Sequence, residues 1–294
     1  MRRWVVGGLA VLVVAGIGAG VYLLRPVEGP ARDLTLVGDA AHGAQLMRLG
    51  GCVACHTDAP NGRAMLAGGP ALPTPFGTFY APNITPHPVA GIGTWTLAQF
   101  SRAMSDGEGP QGHLYPAFPY ESYTLMSDQE IADLYAALQD VPVDATPSKP
   151  HEVGFPFNLR PVLAGWKNVF FKPQRYAADA SKSEQWNRGR YLAIGPGHCV
   201  TCHSPRNALG GIDAGSELAG NPAGGPGGRA PSLRAADLAE DGYDAAALAQ
   251  TLSDGFTPNF DVLGGAMGEV ITEGTSRWTQ QDRDAVAAYL TGAE

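Results

Sequence analysis

Cys52-Val53-Ala54-Cys55-His56 and Cys199-Val200-Thr201-Cys202-His203 hold all four cysteines of the chain. Cys-x-x-Cys-His is the attachment signal for a c-type haem. Its spacing lets two thiols bond the two vinyl-derived carbons of one porphyrin, and places the adjacent His to ligate the iron from the same side. A disulfide framework, a four-thiolate zinc site and a redox dithiol are the other uses of paired cysteines. None of them explains why both pairs run straight into His, with no cysteine left over. The motifs predict two covalently bound haem c groups, each with its iron. Cys52, Cys55 and His56 hold one; Cys199, Cys202 and His203 hold the other.

Outward from these motifs the chain repeats itself. A helix runs into each motif, with Asp39 placed to cap the first and Ser183 the second. Each half closes on a capping-box-like start, Ser127-x-x-Glu130 in one and Thr279-x-x-Asp282 in the other. Apolar residues then recur at helical spacing: Ile131, Leu134 and Leu138, and again Val286, Tyr289 and Leu290. Between these landmarks Ala81-Pro82 matches Ala230-Pro231, and Met104-Ser105-Asp106-Gly107 matches Leu252-Ser253-Asp254-Gly255. Ala117-Phe118 then matches Ala266-Met267. First and last helices packed around a haem are the skeleton of a class I cytochrome c domain. The expected fold is all-α: an N-terminal transmembrane helix at 1–25, then two cytochrome c domains at 35–140 and 183–294. A connector at 141–182 joins them.

The chain has 294 residues, enough for two domains of ordinary size. Its 39 glycines and 24 prolines suit short helices joined by tight loops, and Gly220 to Gly228 reads as a surface loop. A net charge of −8 argues against a nucleic-acid partner, whose binders carry basic patches. At the N-terminus, Met1-Arg2-Arg3 precedes an uncharged apolar run from Trp4 to Leu24. Such a run spans a bilayer as a helix, and the arginines favour a cytoplasmic N-terminus. Gly18-Ala19-Gly20 offers small residues for signal-peptide cleavage, but the run continues through Val21-Tyr22-Leu23-Leu24 without an Ala-x-Ala site. A retained single-pass anchor in the inner membrane is expected, with the haem domains in the periplasm.

The connector holds Phe155, Phe157, Trp166, Phe170, Phe171 and Tyr176, which is too aromatic for a disordered linker. It reads as a packed strap. Its Arg160 or Lys167 is a candidate partner for haem propionates, because buried carboxylates need charged partners.

Beyond the motifs, several segments resemble the multihaem cytochrome c subunits of membrane-bound alcohol, aldehyde and gluconate dehydrogenases, and their dihaem relatives. They are Asn83-Ile84-Thr85-Pro86, Gly91-Ile92-Gly93-Thr94-Trp95 and His113-Leu114-Tyr115-Pro116-Ala117, with Arg160-Pro161 and Gly165-Trp166-Lys167. Cys202 through Gly211 and Gly264 through Val270 complete the set. Those subunits usually carry a third haem domain, whereas this chain stops after the second, which favours a dihaem carrier.

The resemblance, together with the repeat, makes Met267 the sixth ligand of the second haem, where a thioether favours reduced iron. Its place is expected to be a loop before the last helix. In the first half the equivalent residue is Phe118, where the dehydrogenase subunits have Met, and phenylalanine cannot ligate iron. Met104 aligns with Leu252 and reads as core. Met126, just before the last helix of its half, is the preferred ligand, since related dihaem sequences with Phe at the earlier position keep it. His113 or an open site are the alternatives.

The resemblance implies an electron-transfer protein, or the cytochrome subunit of an oxidoreductase, rather than a free-standing enzyme. Electrons would come from a periplasmic or membrane-bound dehydrogenase or quinol enzyme, and leave to a terminal oxidase or soluble cytochrome. No nucleophile–base pair or nucleotide loop stands out, so no catalytic residue is named. Phe118 keeps a second reading open: a dihaem enzyme whose open first haem acts on peroxide or a sulfur oxyanion.

Overall fold

A computed structural model describes residues 18, 20–213, 215–225 and 228–293. Asp39 caps α1 (Ala40–Leu49) by accepting from the amides of Ala41 and His42, as its sequence position predicts. Next come α2 (Cys52–His56), the strands β1 (Ala71–Thr74) and β2 (Gly77–Tyr80), and α3 (Leu97–Asp106). The short strands β3 (Glu108–Gly109) and β4 (Gly112–His113), then α4 (Tyr120–Tyr123), lead to α5 (Asp128–Asp140). Ser127 and Glu130 form the expected reciprocal capping box at the start of α5. The connector contributes β5 (Glu152–Val153) and α6 (Arg160–Phe170).

The second half repeats the plan. Ser183 caps α7 (Glu184–Ile194) through the Trp186 amide, and α8 (Cys199–Cys202) follows. Then come β6 (Asn221–Gly225), β7 (Gly228–Ala230), α9 (Ala235–Glu240), α10 (Ala245–Asp254), α11 (Gly265–Glu273) and α12 (Gln280–Thr291). Thr279 caps α12 through the Asp282 amide.

In each half the first helix crosses the last at a glycine. A Cβ on Gly43 of α1 would lie 1.9 Å from the Asp133 carbonyl oxygen of α5. On Gly189 of α7 it would lie 1.9 Å from that of Ala285 in α12. The backbones touch there, which lets the flanking apolar faces close into two main cores. One gathers Leu46, Val53, Met104, Met126 and Leu134; the other gathers Tyr191, Leu192, Val200, Trp278 and Val286. Met104 is core, as its alignment with Leu252 predicts.

The all-α expectation is corrected: the fold is mixed, with helices and three small antiparallel sheets among the described residues. β1–β2 and β3–β4 pair across short turns that contain Pro75 and Pro110, and the largest sheet takes its third strand from the connector. In the largest, β2 is central between β1 and β5. Gly77 makes the pairing with β5 possible: its φ is +131°, and a Cβ would sit 2.3 Å from the Glu152 carbonyl oxygen. Within the expected loop at 220–228, Asn221–Gly225 and Gly228 belong instead to the antiparallel pair β6 and β7, with Asn221 buried.

The membrane expectation is corrected as well. No helix among the described residues is long and apolar enough to cross a membrane. The anchor expected at 1–25 falls mainly on 1–17 and 19, which lie outside the described residues. The single-pass topology, the membrane attachment and the assignment of the haem domains to one side of it are therefore withdrawn.

The connector is packed, and about a quarter of it is the helix α6. Leu163 of α6 sits on Phe79 and Tyr115, while Phe171 meets the Tyr120 ring at 4.9 Å. The Trp166 indole donates to the Leu209 carbonyl in the second half at 2.8 Å.

Candidate functional site

Each motif begins with a tight left-handed turn that aims its short helix: Gly51 (φ +68°) before Cys52, and His198 (φ +39°) before Cys199. Cys52 packs against the first core and Cys199 against the second. Burial pushes both of these thiols up to about 12, so they are neutral at physiological pH. All four cysteines are free. Among the described residues no three His, Cys, Asp or Glu side chains cluster to hold a metal ion.

The histidines are fixed by the repeat itself. His56 Nδ1 lies 2.7 Å from the Pro82 carbonyl oxygen, and His203 Nδ1 lies 2.8 Å from that of Pro231. A carbonyl can only accept, so Nδ1 carries the proton and Nε2 keeps its lone pair for a metal. Burial lowers the pKa of both rings, against a smaller opposite effect of these bonds. Neutral imidazoles with one lone pair set in place, each beside two thiols, suit the axial and covalent demands of a c-type haem. The Ala-Pro pairs are visible in the sequence as a repeat; their carbonyl role is not.

The residues expected at the sixth positions are placed differently in the two halves. Met126 is 1% exposed in the first core, and Phe118 packs against that same core. Met267 packs against the second core, but it rides on α11 rather than in the expected loop. His113 stands apart from this pattern: its Nδ1 faces the Lys167 ammonium at 3.2 Å. Lys167 is fully buried and also donates to the Gly107 carbonyl at 3.3 Å; burial lowers its pKa. Arg160 donates to the His113 carbonyl, and its guanidinium lies over the Tyr115 ring.

The two motifs face one another. Burial first, and then the nearby Cys202 and Glu269, raise the Cys55 thiol to about 11, and α11 packs on α2. Tyr123 donates to the Gly50 carbonyl at 2.6 Å, and its ring meets that of His198 at 5.7 Å.

Comparison with known proteins places this arrangement. No family model matches the sequence. The chain is 42% identical over 296 residues to a dihaem c-type cytochrome of Cereibacter sphaeroides, covering 99% of this chain and 98% of that protein. The chain belongs to the dihaem cytochrome c family. Within it, the chain is 39% identical to a nicotinate dehydrogenase subunit of Pseudomonas putida over 99% of its own length, but spans only 25% of that protein. It is 36% identical to the fructose dehydrogenase cytochrome subunit of Gluconobacter japonicus, of which it spans 57%. The resemblance to dehydrogenase cytochrome subunits carried by the segments around both motifs is thus confirmed across nearly the whole chain.

Proposed function

We propose that this chain carries two covalently attached haem c groups and passes electrons from a dehydrogenase to an oxidase or a soluble cytochrome. Cys52 and Cys55 would hold one group with His56 as axial ligand, and Cys199 and Cys202 the other with His203. Met126 and Met267 are the proposed sixth ligands. The haem-bearing domains would be 35–140 and 183–294, joined by 141–182. The observation that carries this reading is the duplicated Cys-x-x-Cys-His, each with its imidazole Nδ1 at a proline carbonyl of the same repeat.

When bound, the haem iron supplies one-electron redox chemistry. The chain supplies the rest. Pro82 and Pro231 hold the imidazole protons, and the cores exclude water. The contact of α11 with α2 keeps the path between the motifs short. Arg160 or Lys167 is the proposed counter-charge to a propionate, although the buried Lys167 ammonium already feels the Glu108 and Asp106 carboxylates. The likeness to dehydrogenase subunits supports the donor class.

The test is the purified holoprotein. Denatured protein should keep a haem stain, with two haems per chain by pyridine haemochrome. The double variants C52A/C55A and C199A/C202A should each remove one. Two Met–iron charge-transfer bands are expected in the oxidised protein, and M126A and M267A should each abolish one. A chain without covalent stain would sink the reading, and a high-spin first haem would favour the open-site enzyme.

A further inference from the structure

The turn that carries Met126 is held by residues from outside its own core. Arg32, in the segment before α1, spreads its guanidinium across two backbone carbonyls, those of Met126 and Thr124, at 2.6 Å each. The same group reaches the Asp128 carboxylate at 3.1 Å. Its side chain is only 7% exposed, and in this pose its Nε is buried without a partner. The fork therefore gives up one hydrogen bond to keep both carbonyls. Arg175, from the connector, grips Asp128 at 2.7 and 2.9 Å and the Ala31 carbonyl at 2.6 Å. The neighbouring Gln174 exchanges hydrogen bonds with Thr124. The Met126 amide donates to the Tyr123 carbonyl at 3.0 Å, so both backbone polar groups of Met126 are spoken for.

Met267 has no need of such a clamp. It sits on α11, whose own ladder fixes its backbone, with the Gly268 amide on the Gly264 carbonyl. The two candidate sulfurs are thus presented by different devices.

We propose that Arg32 is a positioning residue for the Met126 sulfur. By pinning the carbonyls of residues 124 and 126, it sets where the Met126 side chain enters the first core. This rests on the reading of Met126 as a sixth ligand. A thioether is a weak ligand that competes with water and added bases, so its hold on iron depends on how far the backbone pre-places it. A lysine could not do the same work, because one ammonium lacks the planar fork that spans two carbonyls.

The test uses holoprotein of wild type, R32A, R32K, R175A and M126A, all carrying covalent haem. Imidazole binding to the oxidised iron is titrated, and the Met–iron bands are followed against pH. In R32A, imidazole affinity at one haem should rise roughly tenfold, as expected from losing a charge-assisted hydrogen bond. The band that M126A removes should also be lost at lower pH, while the other band stays. R32K should restore only part of the effect, and R175A, which leaves the fork in place, should give a smaller one. Wild-type imidazole affinity and band profile in R32A overturn the proposal, even if its thermal stability falls. Should R32A not accumulate as holoprotein, R32K decides by the same readouts. If M126A keeps both bands, the ligand reading itself fails, and Arg32 is a structural clamp only.

Discussion

Glu121 shows how one buried side chain ties stability to pH. It lies in α4 at the seam between the halves, with Arg206 of the second half 4.0 Å away. Burial raises its carboxyl from 4.5 to about 7, against the smaller pull of Arg206. Between those two values the folded chain keeps a proton that the unfolded chain has released. Stability is therefore greatest below the window and falls as pH rises through it. Glu121→Gln should flatten that slope and stabilise the protein at pH 8 by on the order of 2–3 kcal/mol, with little change near pH 4.5. Denaturant unfolding at the two pH values measures it. A variant that keeps the wild-type slope would show that another group titrates there.

The helix crossings turn on Gly43 and Gly189, where a methyl group would fall 1.9 Å from a carbonyl oxygen of the partner helix. Gly189→Ala should force α7 and α12 apart and cost roughly 2 kcal/mol, after the better helix propensity of alanine is allowed for. Thermal unfolding would register this, and an unchanged or raised midpoint would contradict it. These crossings also show what the sequence can and cannot disclose. Asp39, Ser127, Ser183 and Thr279 are readable as caps because a cap is settled within four residues of its helix. The motifs are readable because covalent haem chemistry fixes their local spacing. The sheets are not, since β2 is completed by β5, a two-residue strand from far along the chain. Nor is the helix under Met267, because Gly264-Gly265 reads as loop and yet starts α11. Arg32 is silent too: its carbonyl partners are more than 90 residues away, and no local pattern announces a side chain that seeks backbone oxygens.

At the scale of the whole molecule, the repeat folds back so that the two motifs meet, and the seam between the halves belongs to both cores. Leu49 of α1 packs in the second core rather than the first. Arg48 pairs with Glu273 at 3.3 Å, and the Tyr191 hydroxyl of α7 donates to the Glu130 carboxylate of α5 at 2.5 Å. Burial and the Glu130 charge push the Tyr191 hydroxyl far above its ordinary range, so it stays a donor at every accessible pH. Glu130 also accepts from the Ser127 amide and hydroxyl at 2.9 and 2.8 Å, so one carboxylate closes the cap of α5 and the bond across the seam. A seam this shared means that neither half can open without exposing the core of the other. Tyr191→Phe removes the cross-seam bond and should cost about 1.5–3 kcal/mol, the range for a hydrogen bond to a charged group. The loss should appear equally in both halves: amide exchange in α5 and in α12 should speed up by the same factor, roughly tenfold or more. Faster exchange confined to α5 would mean that the halves unfold separately, each with its own motif, and that the seam only places them side by side.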